Sequence, residues 1–421
     1  MIKWLEDAVF YEVYPQSFRD SNGDGIGDIP GITEKLEYIQ ELGCNALWIN
    51  PCFTSPFYDA GYDVEDYYSV APRYGTNEDL KKLFEAAHQR GMHVLLDLVP
   101  GHTAVTHPWF QESMKAEKNE YTDRYVWTDS LYKRMEDVKG IVSVLRGISP
   151  RPASCGVNCF STQPALNYGF ANITDAGWQQ PTDAPGPMAT REELKNIMRF
   201  WLTLGCDGFR VDMAGSLVKN DEDKKETIRL WQDVRAFLNK EFPEAALVSE
   251  WGKPEVALEA GFDMDFYLHF GDTGYMDLFR GDHPYFGGDP ESDISVFAGI
   301  FAKNQENLRG KGMMCMPSGN HDMARISYQL DEEQLRLAYG FIYGFPGAPF
   351  LYYGDEIGMR YIPDTSVPVR EPRCSGRRES TEIFPVHRPG CYIWRWIRTP
   401  TVRTRKARWR RKTAYITGSS G

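Results

Sequence analysis

The first candidate for chemistry is an arginine and a carboxylate two residues apart. Arg210 and Asp212 lie in the segment G-C-D-G-F-R-V-D, which reads as a short buried strand after an amphipathic helix. Residues two apart on a strand project from the same face. A buried arginine beside a carboxylate is costly unless the two are paired or used. For this pair alone, a structural ion pair under a loop and a functional site are both open interpretations.

Further polar residues come at the ends of other predicted strands. They are Asp97, His102, Glu250, His321 and Asp322. Carboxylates that converge on one pocket cannot all ionise cheaply, so one should keep its proton. Glycoside hydrolysis needs that division between a proton donor and an ionised carboxylate. We expect Asp212 and Glu250, on adjacent strands, to lie about 5 Å apart, which is the separation of a retaining enzyme.

Alternating strands and helices must position these side chains. The predicted strands are Val9–Pro15, Asn45–Pro51, His93–Pro100, Gly208–Asp212, Ala245–Glu250, Phe262–Tyr267, Met313–Met316 and Pro349–Tyr353. Strands that are each followed by a helix or an insertion predict an α/β fold of the (β/α)8 TIM-barrel class. In that fold, residues at the carboxyl ends of the strands face one pocket.

No glycine-rich dinucleotide motif follows the first strand, so no organic cofactor is predicted.

The order of these elements predicts three parts, namely a barrel, an inserted subdomain and a basic tail at residues 362–421. The barrel is expected to comprise residues 1–102 and 188–361. Residues 103–187 are rich in Asp, Pro, Gly, Ser and aromatic residues and lack the alternation, so they are predicted to form an inserted subdomain. Capping boxes are predicted at Thr76–Asp79 and at Thr190–Glu193, each opening a helix.

Four segments in this order carry a resemblance to a known family. They are D-L-V-P-G-H, G-F-R-V-D, S-E-W-G and G-N-H-D. Together they resemble the signature regions of the α-amylase superfamily, glycoside hydrolase family 13. The segments F-Y-E-V-Y-P-Q-S-F-R-D and Q-P-A-L-N resemble its oligo-1,6-glucosidase and α-glucosidase branch. The resemblance covers about Met1 to Gly358.

The resemblance implies a role for each matching residue. Asp212 would be the nucleophile and Glu250 the general acid/base, and Asp322 would be a third carboxylate that binds sugar hydroxyls and distorts the ring. Arg210 would keep Asp212 ionised. The substrate-binding residues it implies are Asp59, Tyr62, His102, Arg210 and His321. Among these, Tyr62 would be a stacking platform, although a buried aromatic residue needs no function.

A glycine-bent loop near the start is a candidate cation site. Its oxygen-bearing residues alternate along the chain, as in calcium loops. The predicted ligands of a structural Ca²⁺ or Mg²⁺ are Asp20, Asn22, Asp24, Asp28 and the carbonyl of Ile26. In the branch that this chain resembles, the same loop binds such an ion. A plain polar turn is the alternative.

Three positions depart from the family pattern. Gly101 stands where an Asn usually serves the calcium site of true amylases, so that site is expected to be absent. Ala165 replaces the usual Asp in Q-P-A-L-N. Met213, after the predicted nucleophile, is neither of the residues common at a position that helps to select α-1,4 or α-1,6 linkages. The linkage preference therefore stays open.

Charge and composition restrict the partners. The chain carries a net charge of -12, and its body is acidic, which disfavours nucleic acid. Neither a signal peptide nor a membrane-spanning stretch is predicted, and scattered cysteines fit a reducing compartment, so a cytoplasmic location is expected. An oligosaccharide substrate is the expected partner. The oligomeric state stays open.

The last part of the chain reverses the charge. Residues 368–421 contain 12 Arg and 2 Lys against 3 Glu, and residues 362–421 show no helical stripe. A basic arm for nucleic acid or membrane is one interpretation. A shifted reading frame is the preferred one, and the usual C-terminal β-sandwich and the arginine that pairs with Asp59 in relatives would then be missing. Low stability is expected in that case, because one side of the barrel would expose apolar surface.

Three classes of function follow from these features. The favoured one is a retaining α-glucoside hydrolase acting on short α-glucans through a glucosyl-enzyme. A transglucosidase, such as a trehalose synthase, a glucanotransferase or a sucrose-acting enzyme, differs only in what intercepts that intermediate. A non-catalytic sugar-binding relative or an inactive fragment is the third, and an absence of turnover on any α-glucoside would favour it.

Overall fold

The structure of this protein is a computed structural model that describes residues 2–268, 273–308 and 310–361. The basic tail predicted at residues 362–421 lies outside the described residues. The strands of the described part are β1 (Phe10–Val13), β2 (Ala46–Ile49), β3 (Phe53–Thr54), β4 (Asp66–Val70), β5 (His93–Leu98), β6 (Ser143–Arg146), β7 (Ser154–Val157), β8 (Gly208–Val211), β9 (Ala246–Ser249), β10 (Met264–Phe266), β11 (Met313–Pro317) and β12 (Ala348–Tyr352).

Eight of these strands close into one barrel, which confirms the predicted (β/α)8 fold. The order around the barrel is β1-β12-β11-β10-β9-β8-β5-β2. Strands β1, β2, β8, β9 and β12 are buried at every residue. Burial along the whole strand is typical of parallel strands that are covered on both faces. Outside the barrel, β3 pairs with β4 and β6 with β7, both antiparallel.

Helices connect the barrel strands. Their bounds are α1 (Pro15–Phe18), α2 (Ile29–Glu34), α3 (Leu36–Glu41), α4 (Asn77–His88), α5 (Pro108–Ser113), α6 (Pro185–Leu204), α7 (Lys225–Glu241), α8 (Pro254–Glu259), α9 (Ser295–Leu308) and α10 (Glu332–Gly344). Short 3-10 helices are Lys3–Asp7, Ala214–Ser216, Met276–Leu278, Tyr285–Gly287, Ile326–Tyr328 and Asp355–Ile357. Among the described residues, no helix is both long enough and apolar enough to cross a membrane.

The two predicted capping boxes have different outcomes. At the start of α4, the Asp79 N–H donates to Thr76 Oγ1 (3.2 Å) and the Thr76 N–H donates to Asp79 Oδ2 (3.0 Å), so that box is confirmed. The prediction at Thr190 is wrong, because α6 already begins at Pro185 and the Thr190 hydroxyl donates back to the Gly186 carbonyl at 3.1 Å. A proline at the first helical position begins that helix instead.

The described residues form two compact units. The first contains residues 2–50, 85–94 and 264–361, and the second contains residues 51–84 and 95–263. Residues 103–187, predicted as a separate subdomain, fall in the second unit together with β8 and β9. Aromatic packing fills the first unit, where the Phe10 ring stacks on Phe350 with a centroid distance of 4.2 Å. In the second unit, the Phe53 ring stacks on Trp201 at 5.0 Å.

One glycine is required where β8 meets β9. Gly208 has φ +145°, and a Cβ built on it would lie 2.2 Å from the carbonyl oxygen of Ala246. Only glycine tolerates both that backbone conformation and that approach. This contact sets how closely the two strands pair, and therefore how close their carboxyl ends lie.

Candidate active site

Arg210 is the centre of a buried charge cluster in the second unit. Its Nη1 atom lies 3.0 Å from Asp97 Oδ1 and 3.0 Å from Asp212 Oδ1, and its Nη2 atom lies 3.0 Å from Glu250 Oε2. Arg210 is 2% exposed. Burial lowers its pKa, but the charges of Asp97 and Glu250 outweigh burial and raise the pKa well above the ordinary value. One guanidinium therefore serves three carboxyl groups.

The strand register brings these groups together. Asp97 on β5 is the Cα partner of Arg210 on β8. The ladder continues past the strand ends, where the Asp212 N–H donates to the Leu98 carbonyl (2.9 Å) and the Glu250 N–H donates to the Val211 carbonyl (3.0 Å). Because parallel strands end at the same edge, the two carboxyl groups lie beside each other. The predicted separation of about 5 Å stays a prediction.

The surroundings of Asp212 disfavour its ionised form. Burial and the neighbouring Glu250 carboxyl raise the pKa of Asp212 well above its ordinary value, and Arg210 lowers it by less. Glu250 also accepts the main-chain N–H of Met213 at 2.9 Å. Arg210 thus acts in the predicted direction but does not by itself keep Asp212 ionised. A retaining mechanism needs one protonated and one ionised carboxyl group, and a raised pKa at Asp212 is compatible with that division.

Asp97 joins this cluster to Tyr62. The Tyr62 hydroxyl donates to Asp97 Oδ2 at 2.9 Å, and the Arg210 guanidinium carbon lies 5.8 Å from the centroid of the Tyr62 ring. Tyr62 is 8% exposed, so most of the ring is buried. The sequence placed Asp97 at a strand end but assigned it no role. Its alignment with Arg210 across adjacent strands was the signal that could have found it.

Asp59 is held by a residue that the sequence interpretation did not include. Gln163 Nε2 donates to Asp59 Oδ2 at 2.6 Å. The loop around Asp59 is conformationally restricted, because Phe57 and Ala60 have φ of 60° and 52°. Residues other than glycine adopt such angles only where the surrounding structure enforces them. Gln163 opens the segment Q-P-A-L-N, which was used only to assign the branch.

His102 uses both of its ring nitrogens on protein groups. Its Nε2 atom lies 2.9 Å from the Tyr62 carbonyl oxygen, and its Nδ1 atom lies 3.0 Å from Asn158 Nδ2. Burial lowers the pKa of His102 to about 4, so the ring is neutral at pH 7. The implied hydrogen bond from His102 to a glucose hydroxyl therefore requires one of these contacts to change.

His321 and Asp322 lie in the first unit, in the segment after β11. His321 Nδ1 lies 3.2 Å from Glu12 Oε1 and 3.1 Å from Asn50 Nδ2, and its Nε2 lies 3.4 Å from Asp322 Oδ2. Glu12 and Asn50 are fully buried, whereas the Asp322 side chain is 36% exposed. Glu12 and Asn50 were absent from the predicted site, although both lie at or directly after strands β1 and β2.

The structure thus groups the predicted residues in two sets. Those in the second unit are Asp59, Tyr62, His102, Arg210, Asp212 and Glu250. His321 and Asp322 form the set in the first unit. That Asp322 meets the other two carboxyl groups around one sugar ring stays a prediction.

The loop predicted to bind a cation is organised by its own main chain. Asp20 accepts the N–H groups of Asn22 (3.1 Å), Gly23 (2.6 Å) and Gly25 (2.8 Å), and the bond from Gly25 contributes most to lowering the pKa of Asp20. Asp28 Oδ1 accepts the N–H of Gly31 (2.7 Å) and so caps α2.

These carboxylates suit a hard cation in chemical type. Within the described ranges, however, no group of three or more His, Cys, Asp or Glu side chains is arranged to hold a metal ion. An ion in this loop would share its oxygen ligands with main-chain donors. All five predicted ligands stay predictions: Asp20, Asn22, Asp24, Asp28 and the carbonyl of Ile26.

Comparison with known proteins assigns the family. The family description "Alpha amylase, catalytic domain" matches residues 12–380. The chain is 34% identical to trehalose synthase/amylase TreS of Mycolicibacterium smegmatis, over 85% of this chain and 64% of that protein. It is 30% identical to oligo-1,6-glucosidase of Parageobacillus thermoglucosidasius, over 86% of this chain and 67% of that protein.

A solved structure agrees with these sequence comparisons. The α-amylase from H.orenii matches with a TM-score of 0.69 and 33% identity, over 87% of this chain and 72% of that chain. The chain belongs to the α-amylase catalytic-domain family of glycoside hydrolases, as the resemblance implied. The family match extends to residue 380, beyond Gly358, where the resemblance was expected to end. The matched region of the chain spans about two thirds of the length of these relatives.

Proposed function

We propose that this protein acts on short α-glucans as a retaining α-glucosidase, with Asp212 as nucleophile and Glu250 as general acid/base. The observation that carries this proposal is the arrangement of both carboxyl groups on the guanidinium of Arg210, each at 3.0 Å. Two adjacent buried carboxyl groups that share one proton can act as an acid and a nucleophile in the same step.

The proposed reaction has two steps. In the first, an Asp212 oxygen bonds to the anomeric carbon while the glycosidic bond breaks, and Glu250 gives its proton to the leaving oxygen. In the second, a water molecule attacks that carbon, its proton passes to Glu250, and the bond to Asp212 breaks. Protons balance, because the pair begins and ends with one.

The proton must be on Glu250 when the first step begins. Burial and the neighbouring Glu250 carboxyl group raise the pKa of Asp212. A hydrogen bond between the two carboxyl groups is among the causes of that raised pKa. This hydrogen bond would give the proton a direct path to Glu250 when substrate binds. Arg210 contacts both carboxyl groups at 3.0 Å, so its charge stabilises the ionised form of either one.

Other residues are proposed to bind the sugar. Asp322 and His321 would hydrogen-bond hydroxyls of the reacting glucose, and their mutual contact at 3.4 Å supports a joint role. Asp59 would bind a terminal glucose hydroxyl, and the Gln163 contact at 2.6 Å supports its positioning. Tyr62 would pack against the sugar ring.

Transfer to a sugar is the second candidate. The proteins named trehalose synthase/amylase and oligo-1,6-glucosidase match this chain to a similar extent, at 34% and 30% identity. In the second step a sugar hydroxyl would replace water, and every other bond change would be the same. Trehalose or longer oligosaccharides formed from maltose would favour transfer, and glucose alone would favour hydrolysis.

Variants of the two carboxyl groups test the proposal. With p-nitrophenyl α-glucoside, Asp212→Asn should lose activity about 10⁴-fold or more, because no nucleophile remains. Glu250→Ala should retain release of the good leaving group, and added azide should restore turnover because azide attacks without a general base. Asp223→Asn is a matched control, since Asp223 is exposed and, in the described part of the chain, pairs with exposed Lys225. Full activity in Asp212→Asn would reject the assignment.

A further inference from the structure

Asn158 fills the space that Gly101 leaves beside His102. A Cβ built on Gly101 would lie 2.6 Å from Asn158 Nδ2 and 3.3 Å from its Cγ. A side chain at position 101 and the Asn158 amide therefore cannot occupy this space together. Asn158 is 2% exposed, and its N–H donates to the Gln163 carbonyl at 3.1 Å, which fixes its main chain.

Lys219 determines which way the Asn158 amide points. Lys219 is fully buried, and its Nζ donates to Asn158 Oδ1 at 3.4 Å and to the Ser216 carbonyl at 2.9 Å. An ammonium group only donates, so the amide oxygen must face it. The amide nitrogen then faces His102 Nδ1 at 3.0 Å.

The orientation of the amide fixes the tautomer of His102. Asn158 Nδ2 donates, so His102 Nδ1 must accept, and the ring proton lies on Nε2. That proton is donated to the Tyr62 carbonyl at 2.9 Å, an atom that can only accept. Lys219 thus donates to Asn158, Asn158 donates to His102, and His102 donates to the Tyr62 carbonyl. We call this series of hydrogen bonds the Lys219 relay; no proton is transferred along it.

We propose that Asn158 is a positioning residue that occupies the space a side chain at position 101 would need, holds His102 as the neutral Nε2–H tautomer, and through it fixes the main chain of Tyr62. Lys219 fixes the orientation of the Asn158 amide group. The catalytic consequence rests on the proposed function, whereas the tautomer does not. Tyr62 is held at both ends, because its hydroxyl donates to Asp97 at 2.9 Å.

The tautomer is measurable by two-bond ¹H–¹⁵N spectra of protein labelled at histidine, with His102→Gln to assign the signal. At pH 6 the ring is neutral and the lysine charged, because the pKa of His102 is lowered to about 4 and that of Lys219 to about 7, both by burial. Native protein should show the Nε2–H form. Asn158→Asp should add a proton on Nδ1 while Nε2 keeps its own, giving a charged ring, because the carboxylate and the Tyr62 carbonyl can both only accept.

Asn172→Asp is the matched control, because Asn172 is exposed and its amide donates to the Asn220 carbonyl, not to a histidine. It should leave the His102 signal unchanged. An Nδ1–H or charged ring in the native protein, or an unchanged signal in Asn158→Asp, would overturn the proposal. The spectra do not depend on activity. The Lys219 relay can therefore be correct if the proposed function is wrong, and the proposed function can be correct if the relay is wrong.

A swap of the two side chains tests the compensation. Gly101→Asn alone should lower kcat/KM about tenfold or more, with a rise in KM larger than the fall in kcat, because the Tyr62 platform is displaced. Adding Asn158→Gly should recover most of the loss, because the space is vacated. Two results would show that Asn158 does not compensate for position 101. One is a double variant whose loss of kcat/KM equals the product of the two single losses, and the other is a Gly101→Asn variant with unchanged kcat/KM.

Discussion

Replacing Arg210 with Met should make stability depend strongly on pH. The guanidinium contacts Asp97, Asp212 and Glu250, each at 3.0 Å, and has 2% exposure. Without it, the buried carboxyl groups lose their cation, and at least one more of them should stay protonated in the folded state at neutral pH. In the unfolded chain these carboxyl groups are ionised above about pH 5.

The sign and size follow from proton linkage. A carboxyl group whose pKa is raised in the folded state stabilises the fold at low pH, and that stability is lost as pH rises above its unfolded pKa. Each extra proton bound by the folded state lowers the free energy of unfolding by about 1.4 kcal/mol per pH unit. Between pH 6 and pH 8, the free energy of unfolding of Arg210→Met should therefore fall by about 2.7 kcal/mol more than that of the native protein.

Urea unfolding at pH 6 and pH 8 measures this difference. Arg210→Lys keeps the charge but not the planar fork, so it should lose similar stability at both pH values. Arg199→Met is the surface control, because Arg199 pairs with Glu241 where both side chains are about a third exposed; its small loss should not vary with pH. An Arg210→Met variant that loses equal stability at pH 6 and pH 8 would refute the role given to the guanidinium.

Three further predictions concern the fold and the loop. Gly208→Ala should cost about 3 kcal/mol or more in urea unfolding, because its Cβ would meet the Ala246 carbonyl at 2.2 Å and φ is +145°; a neutral effect would contradict that contact. Thr76→Ala should cost about 1 kcal/mol through loss of the cap on α4, unless the helix begins elsewhere. Added Ca²⁺ at 100-fold its Kd should stabilise the protein by about 2.7 kcal/mol, visible as a higher Tm that chelator reverses and Asp20→Asn abolishes; a Tm unaffected by chelator and Ca²⁺ would retire the cation site.

The barrel could be predicted because a short apolar segment indicates a buried strand without any information about distant residues. The predicted strand at Gly208–Asp212 corresponds to β8 at Gly208–Val211, and Ala245–Glu250 corresponds to β9 at Ala246–Ser249. Helix starts were less certain. Thr190, predicted to open a helix, lies inside α6 instead of at its start. Proline at the first helical position outweighed the capping pattern in α6.

The side chains that position the site could not be predicted, because their partners are distant in sequence. Asn158 reaches His102 across 56 positions, and Gln163 reaches Asp59 across 104. Glu12 and His321 are separated by 309 positions. The segments that carry the family resemblance mark the reacting groups, but only folding shows which groups hold them.

Trapping the covalent intermediate tests the central claim most directly. The protein would be incubated with a 5-fluoro-α-glucosyl fluoride, whose ring fluorine slows release from the enzyme, then digested and analysed by mass spectrometry. Double displacement predicts one fluoroglucosyl group on the peptide that contains Asp212, and none in Asp212→Asn. A label on Glu250 or Asp322, or turnover of the reagent with inversion and no label, would contradict the assignment of Asp212 as the nucleophile.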